Sequence, residues 1–390
     1  MRRWLACPAA AATAMIVLAT GGVSNGVPAG ANGLPIPISA STTTPSGSSV
    51  LISMGHLHDP SNTFWELFLK AAGSKSWVLH TPPGVASNGG LVLSAAPTSA
   101  LTVGFLTSAD LKFSPLAQST DGGNKWSPGE LPFPLASTPD ALAVEPSGNG
   151  LALVASGGQR VLETSGDLSG WRTLTSMKAL AGADHSCAVQ EVTAVAYNAA
   201  AEPLLGLRCA QNGKVGVLVK PVTSSTEPSS WRDIGPSLAA GRGAAVVTRL
   251  VTTSTGVACL AQVSGRKRTA IVAFWGGGST EQWSGPVSLS VPAGWSMTAS
   301  STGGGSGQGL AVLLGSSARR RVEVISGPGD SWTTLPPAPH GSSGVSADGA
   351  EVDTFVATGS HLAVWAWSPG ATAWTRTDSI SVPVPYGSSS

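Results

Sequence analysis

Short apolar runs, broken by clusters of turn-forming residues, organise most of the chain. Between Trp126 and Trp171 a run at 141–145 meets the turn Pro146-Ser147-Gly148-Asn149-Gly150, and a second run follows at 151–155. A Gly157-Gly158 turn leads to a third run at 160–163, and a fourth begins at Trp171. Runs of four to eight residues bounded by Gly, Pro, Asn and Ser read as strands. The second runs of successive units (101–106, 204–209, 257–263 and 310–314) are almost continuously apolar. That pattern predicts strands covered on both faces. With 49 Gly and 28 Pro spread along 390 residues, a helical repeat is excluded.

A tryptophan marks each unit. Trp77, Trp126, Trp171, Trp231, Trp283, Trp332 and Trp374 each follow a small or polar turn and open a short strand. They recur every 42 to 60 residues. A period near 40–50 residues filled with short strands is the sequence signature of a β-propeller. The expected fold is therefore all-β: seven four-stranded antiparallel blades, with six or eight left open. The first unit has no obvious first strand. Either 34–38 or the tail 380–386 is expected to supply it and close the ring, removing exposed edges.

The stretch Ser119-Thr120-Asp121-Gly122-Gly123-Asn124-Lys125-Trp126 reads Ser-x-Asp-x-Gly-x-x-Trp. It resembles the Asp-box, or BNR repeat, of sialidases and other secreted propellers. The resemblance implies a turn between the third and fourth strands of a blade. Ser119, Asp121, Gly123 and Trp126 would then be structural: Asp121 accepts backbone N–H groups, Gly123 takes positive φ and Trp126 packs between blades. Partial copies lie at 165–171, 279–283 and 326–332, while the units ending at Trp77 and Trp374 lack the acid. In sialidases the active site lies on the opposite face, with three arginines, an Asp and a Tyr–Glu pair. This chain has only Tyr197 and Tyr386, and it lacks the Arg-Ile-Pro opening of those enzymes.

That opposite face is where charge gathers. Formal net charge is +1 and charged residues are 11%, which gives no global pull toward nucleic acid or membrane. The turns between second and third strands nevertheless carry Lys112, Arg160, Lys214, Arg266-Lys267-Arg268 and Arg319-Arg320-Arg321. The two triple-basic turns occupy equivalent places in adjacent predicted blades. Arg160, Lys214, Arg266, Lys267, Arg268, Arg319, Arg320 and Arg321 form the candidate site for an acidic protein or an anionic glycan. The alternative for each is a solvated hairpin tip. The expectation is a non-catalytic binding protein, monomeric and without cofactor or nucleic-acid partner. A sialidase-like glycoside hydrolase is the second reading, using acids near the innermost strands: Asp140, Glu145, Glu191, Glu351 and Asp353.

Weaker candidates are His56 and His58, spaced for one strand face, and Asp184-His185-Ser186, whose adjacency does not make a triad. Arg2-Arg3, the apolar stretch 5–20 and Ala29-Gly30-Ala31 read as a secretory signal peptide over 1–31. A Ser/Thr/Pro-rich linker is expected over 32–48 and a single propeller domain over 49–390. The protein is expected to be secreted or extracytoplasmic, with the leader retained as an anchor as the alternative. Export permits a disulfide, and Cys187 and Cys209, which flank one predicted hairpin, are the preferred pair. Cys259 is then a buried free thiol.

Overall fold

A computed structural model describes residues 39–382, apart from 45, 56–62, 83–88, 97–98, 107–110, 133–138, 156–157, 167, 169, 182–186, 223–229, 240–242, 254–255, 266–267, 281 and 303–307. The leader, both histidines of the 56–58 pair and Asp184-His185-Ser186 lie outside the described residues. Among those described, 28 strands form seven groups of four, each pairing in chain order.

Blade 1 comprises β1 (Ser39–Thr44), β2 (Gly47–Gly55), β3 (Thr63–Ala71) and β4 (Val78–Leu79). Blade 2 comprises β5 (Gly89–Ala95), β6 (Leu101–Leu106), β7 (Phe113–Ser119) and β8 (Ser127–Pro132). Blade 3 comprises β9 (Ala141–Val144), β10 (Gly150–Val154), β11 (Arg160–Thr164) and β12 (Trp171–Ser176), followed by the short helix α1 (Met177–Ala181). Blade 4 holds β13 (Val189–Tyr197), β14 (Pro203–Cys209), β15 (Val217–Val219) and β16 (Arg232–Asp233). Blade 5 holds β17 (Ala244–Thr253), β18 (Gly256–Ser264), β19 (Thr269–Gly276) and β20 (Trp283–Val291). Blade 6 holds β21 (Ser296–Thr302), β22 (Leu310–Gly315), β23 (Arg320–Ile325) and β24 (Thr333–Thr334). Blade 7 holds β25 (Ser342–Asp348), β26 (Glu351–Thr358), β27 (His361–Trp367) and β28 (Thr375–Ser381). All blades are antiparallel. One bridge, Arg208 to Val246, links the sheets of blades 4 and 5. No helix among the described residues is long and apolar enough to cross a membrane.

The apolar second runs became the second strands. β10, β14 and β22 are buried along their whole length, because each is covered by a blade on either side. Every repeat tryptophan opens or immediately precedes a fourth strand. Several then reach back to the preceding blade. The Trp283 indole N–H donates to the Ile234 carbonyl (2.6 Å), Trp332 to Val287 (3.2 Å) and Trp374 to Pro336 (2.9 Å). Trp126 packs against the apolar cluster shared by blades 1 and 2, and Trp231 against that shared by blades 3 and 4.

Two expectations are corrected. The segment expected as a linker contains β1 and the start of β2, so the fold begins inside it. The Ser/Thr run 39–44 forms a strand because its hydroxyls find partners. Ser41 Oγ donates to the carbonyls of Ser300 (3.0 Å) and Val345 (2.7 Å), and Thr43 pairs with Ser48 (3.0 Å). The start of the tail also does not supply blade 1's first strand, which is β1. Ile380 and Ser381 belong to β28, in blade 7's own sheet; 34–38 and 383–386 lie outside the described residues.

The seam between blades 7 and 1 is closed by side chains. Lys70 Nζ lies 2.6 Å from Asp353 Oδ2 and 3.1 Å from Glu351 Oε1. The same Asp353 oxygen accepts the Trp77 indole N–H (2.9 Å), and Trp77 meets Phe355 edge to face at 4.9 Å. Glu351 and Asp353, expected near an innermost strand, sit on the second strand β26 and serve this seam. A backbone bond from Gly55 N to Gly359 O (2.9 Å) joins the two blades nearby. Cys187 and Cys209 are joined by a disulfide inside the core between blades 3 and 4. A Cβ on Gly216 would stand 2.7 Å from Cys209 Sγ, so glycine is required there. Cys259 is free and buried, and burial pushes its thiol up.

Lys70 and Asp353 are both almost fully enclosed, whereas Glu351 is 42% exposed. Lys70→Met is expected to leave Asp353 buried without a cation and to cost about 3–5 kcal/mol in denaturant unfolding. Glu351→Gln is expected to cost no more than about 1 kcal/mol. Burial alone lowers the Lys70 pKa, but Asp353 and Glu351 together outweigh it and leave it above the ordinary 10.5. The folded state therefore holds this proton more tightly than the unfolded chain. Its stabilisation is complete below pH 10.5 and is lost as pH rises through the folded value. Alkaline melting of wild type against Lys70→Met checks the sign.

Candidate functional site

The Asp-box turn joins β7 to β8. Ser119 Oγ donates to Asp121 Oδ1 (2.9 Å) and accepts from Gly123 N (2.8 Å), and Asp121 Oδ1 accepts Lys125 N (2.9 Å). These bonds, led by that from Lys125 N, hold the exposed Asp121 carboxyl below its ordinary value. Gly123 has φ 89°, and its carbonyl lies 3.1 Å from His80 Nδ1 of blade 1. A Cβ there would stand 2.3 Å from Leu69 Cδ1. The turn thus shapes blade 2 against blade 1. In the worn copy at 165–171, Leu168 adopts φ 52° and its carbonyl accepts the Trp171 indole N–H (2.9 Å).

The opposite face carries the basic turns, with different fates for each. Arg268 and Arg319 are exposed, in equivalent turns of blades 5 and 6. Lys214 and Arg160 are half-buried in the corresponding turns of blades 4 and 3. Arg320 is spent on backbone: its Nε donates to Ser342 O (3.2 Å) and its Nη1 to Ser316 O. Arg321 is also committed, with Nε 2.6 Å from Glu323 Oε1 and its guanidinium 5.5 Å from the Trp295 ring centre. Those two leave the set of free cations, because neighbouring strands of their own blade and blade 7 already satisfy them. Arg266 and Lys267 lie outside the described residues.

Inside the ring, innermost strands enclose a cavity of about 370 Å³. Asp140 and Glu191 line it, as do Ser41, Thr193, Thr248 and Ser300. Arg249, in the middle of β17, is the one basic residue in its described wall. Its Nη1 donates to Ser300 O (2.7 Å) and its Nη2 to Ser41 O, so blade 5 reaches blades 6 and 1 across the lumen. Depth in the protein lowers the Arg249 pKa to about 10, although part of the side chain remains open to the lumen. Glu191 pairs with Arg208 Nε at 3.1 Å. Burial first, and then the Glu191 charge, pushes Asp140 up to about 6. Arg249 escaped the sequence reading. Its signal was a lone charge within the apolar run Ala245-Val246-Val247-Thr248-Arg249-Leu250-Val251.

Among the described residues the sialidase geometry is not assembled. The Tyr197 hydroxyl is buried without a hydrogen-bond partner in the core shared by blades 3 and 4, and burial raises its pKa. Glu145 is held by Ser147 and Asn149 in its own turn. Tyr386 lies outside the described residues. Among the described residues no group of three or more His, Cys, Asp or Glu side chains is placed to hold a metal. A larger, open groove of about 770 Å³ runs along the outer rim between blades 6 and 7, past His340, His361, Trp365 and Arg376. Trp365 and Trp367 pack against the core of those blades.

No protein-family profile matches the chain, and neither does any curated protein. Solved structures do resemble it. A Bacteroides fragilis protein described as a putative 6-phosphogluconolactonase aligns at TM-score 0.53 and 11% identity, over 86% of this chain and 96% of that one. A fucose-recognising lectin of six-bladed propeller fold from Aleuria aurantia aligns at TM-score 0.39 and 16% identity, over 76% and 96%. A puromycin-hydrolysing peptidase from Mycobacterium tuberculosis aligns at TM-score 0.47 and 13% identity, over 88% of this chain. The chain spans about half, 53%, of that peptidase's length. At these identities the likeness concerns fold alone.

Two substitutions test this description. Gly123→Ala is expected to destabilise by about 1–3 kcal/mol through positive φ and the Leu69 clash, read as a lowered Tm. Asp140 is an acid whose folded pKa is raised from 3.8 to about 6. The folded state therefore gains stability as pH falls through about 6 and gains no more below 3.8. Asp140→Asn is expected to stabilise the protein at pH 8 by up to roughly 3 kcal/mol, and negligibly near pH 4. Melting curves at the two pH values check this.

Proposed function

We propose that this is an exported, non-catalytic binding propeller whose basic face captures an acidic protein or an anionic glycan. The observation that carries the reading is the exposure of Arg268 and Arg319 in equivalent turns of adjacent blades, with Lys214 next in the ring. A nearly neutral chain thereby concentrates cations on one rim. Guanidinium groups there are free to form paired hydrogen bonds with carboxylates or sulfates. The Arg319 turn is closed by its own bonds, Ser316 N to Arg319 O (2.9 Å) and Arg319 N to Ser316 Oγ (3.2 Å), so that turn has little order to gain on binding.

The sialidase-like hydrolase reading, drawn from the Asp-box resemblance, has less support. It asks for a tyrosine and an acid side by side in the central pocket. Tyr197 lines that pocket, but its hydroxyl is buried and bonded to no acid.

Retention on immobilised heparin and on polyglutamate tests the proposal. Capture is expected at low salt and is expected to weaken as ionic strength rises and the Debye length shrinks to about 8–10 Å. Arg268→Glu/Arg319→Glu is expected to reduce retention at least about tenfold, as charge reversal on the rim removes attraction and adds repulsion. Unchanged retention in that variant would overturn the assignment to this face.

A further inference from the structure

The central cavity poses a problem that the basic rim does not solve. Arg249 has no carboxylate within ion-pairing distance among the described residues, and its five N–H donors outnumber its protein acceptors. Its Nε has no hydrogen-bond partner. Asp140, in the wall of the same cavity, has no ion-pair partner among the described residues and accepts a backbone hydrogen bond from Ala155. Its Oδ2 is likewise buried and unbonded, and the charge acting on it, that of Glu191, is of like sign. Glu191 has its own cation in Arg208, so it does not answer Arg249. A buried charge without a counter-charge is costly. Here two of opposite sign face one chamber without pairing with each other.

We propose that the cavity binds a small zwitterion, a short peptide or amino acid, with its carboxylate on Arg249 and its ammonium on Asp140. A plain anion would satisfy Arg249 and meet repulsion from the two acids. A plain cation would meet the reverse. A ligand carrying both charges completes both groups at once. The volume, about 370 Å³, lies at the lower end of the about 300–1,000 Å³ typical of small-molecule sites. Leu93, Leu142 and Val195 give the chamber apolar wall between its charged points. Ser41 and Ser300, which hold Arg249, fix its guanidinium before any ligand enters. The site goes beyond the rim proposal and is independent of it.

The experiment is calorimetric titration of the full chain at pH 7.5 with glycine, diglycine, triglycine and tetraglycine, each beside its N-acetyl and C-amide forms. One free peptide length is expected to bind best, and each cap is expected to weaken it at least about tenfold, the loss of one charge-assisted contact. Arg249→Lys should retain a preference for the free carboxylate. Asp140→Asn should abolish the penalty for N-acetylation while the protein stays folded by circular dichroism. Arg268→Glu/Arg319→Glu should change none of these values, which separates this site from the rim. No heat from any free peptide at about 10 mM, or equal binding of free and capped forms, would overturn the proposal.

Discussion

One hydrogen bond, made in turn by blades 5, 6 and 7, ties each of them to the blade before it. An indole N–H at the head of a fourth strand reaches back to a carbonyl of the blade before it, as Trp283 does to Ile234 and Trp374 to Pro336. A large ring fills the space between sheets while its one polar atom is satisfied at the far side. Each bond contributes about 1 kcal/mol net. Its greater effect is geometric: it fixes how far one sheet is turned from the next. The sheets in turn place the innermost strands, and those strands enclose the chamber in which Arg249 and Asp140 stand.

At the seam this device needs a substitute. Trp77 has blade 7 behind it, and its acceptor is the Asp353 carboxylate instead of a carbonyl. A buried carboxylate requires a cation, and Lys70 from blade 1 supplies it. The lysine lies 5.6 Å from the Trp77 ring centre, so indole, acid and amine form one cluster. Arg249 is a second cross-tie of a different kind, running across the lumen from blade 5 to blades 6 and 1.

Much of the architecture was legible in the sequence because it rests on local rules. Tryptophan spacing counted the blades, and apolar runs located strands such as β14 and β22, which need cover on both faces. β1 was missed because Ser39-Ala40-Ser41-Thr42-Thr43-Thr44 has the composition of a linker. Pairing with β2 makes it a strand, and its Ser41 hydroxyl is satisfied by carbonyls some 250 to 300 residues away, at Ser300 and Val345. The site was less legible for the same reason. Arg319, Arg320 and Arg321 look alike in sequence, yet Glu323, Ser342 and Trp295 claim two of them. Arg249 and Asp140 belong to different blades, and nothing in either neighbourhood announces the other.

The backward-reaching indoles also bear on how such a chain diverges. A main-chain carbonyl is present whatever side chain its residue carries, so the accepting blade is free to drift. This fits the contrast among the copies within this one chain: the tryptophans persist in all seven units, while the acid of the Asp-box is intact in few. At the seam between blades 7 and 1 the indole's acceptor is itself a side chain. A blade gained or lost between blades 4 and 7 would meet neighbours that already offer a carbonyl acceptor. A change at the seam would have to bring its own acid and its own lysine.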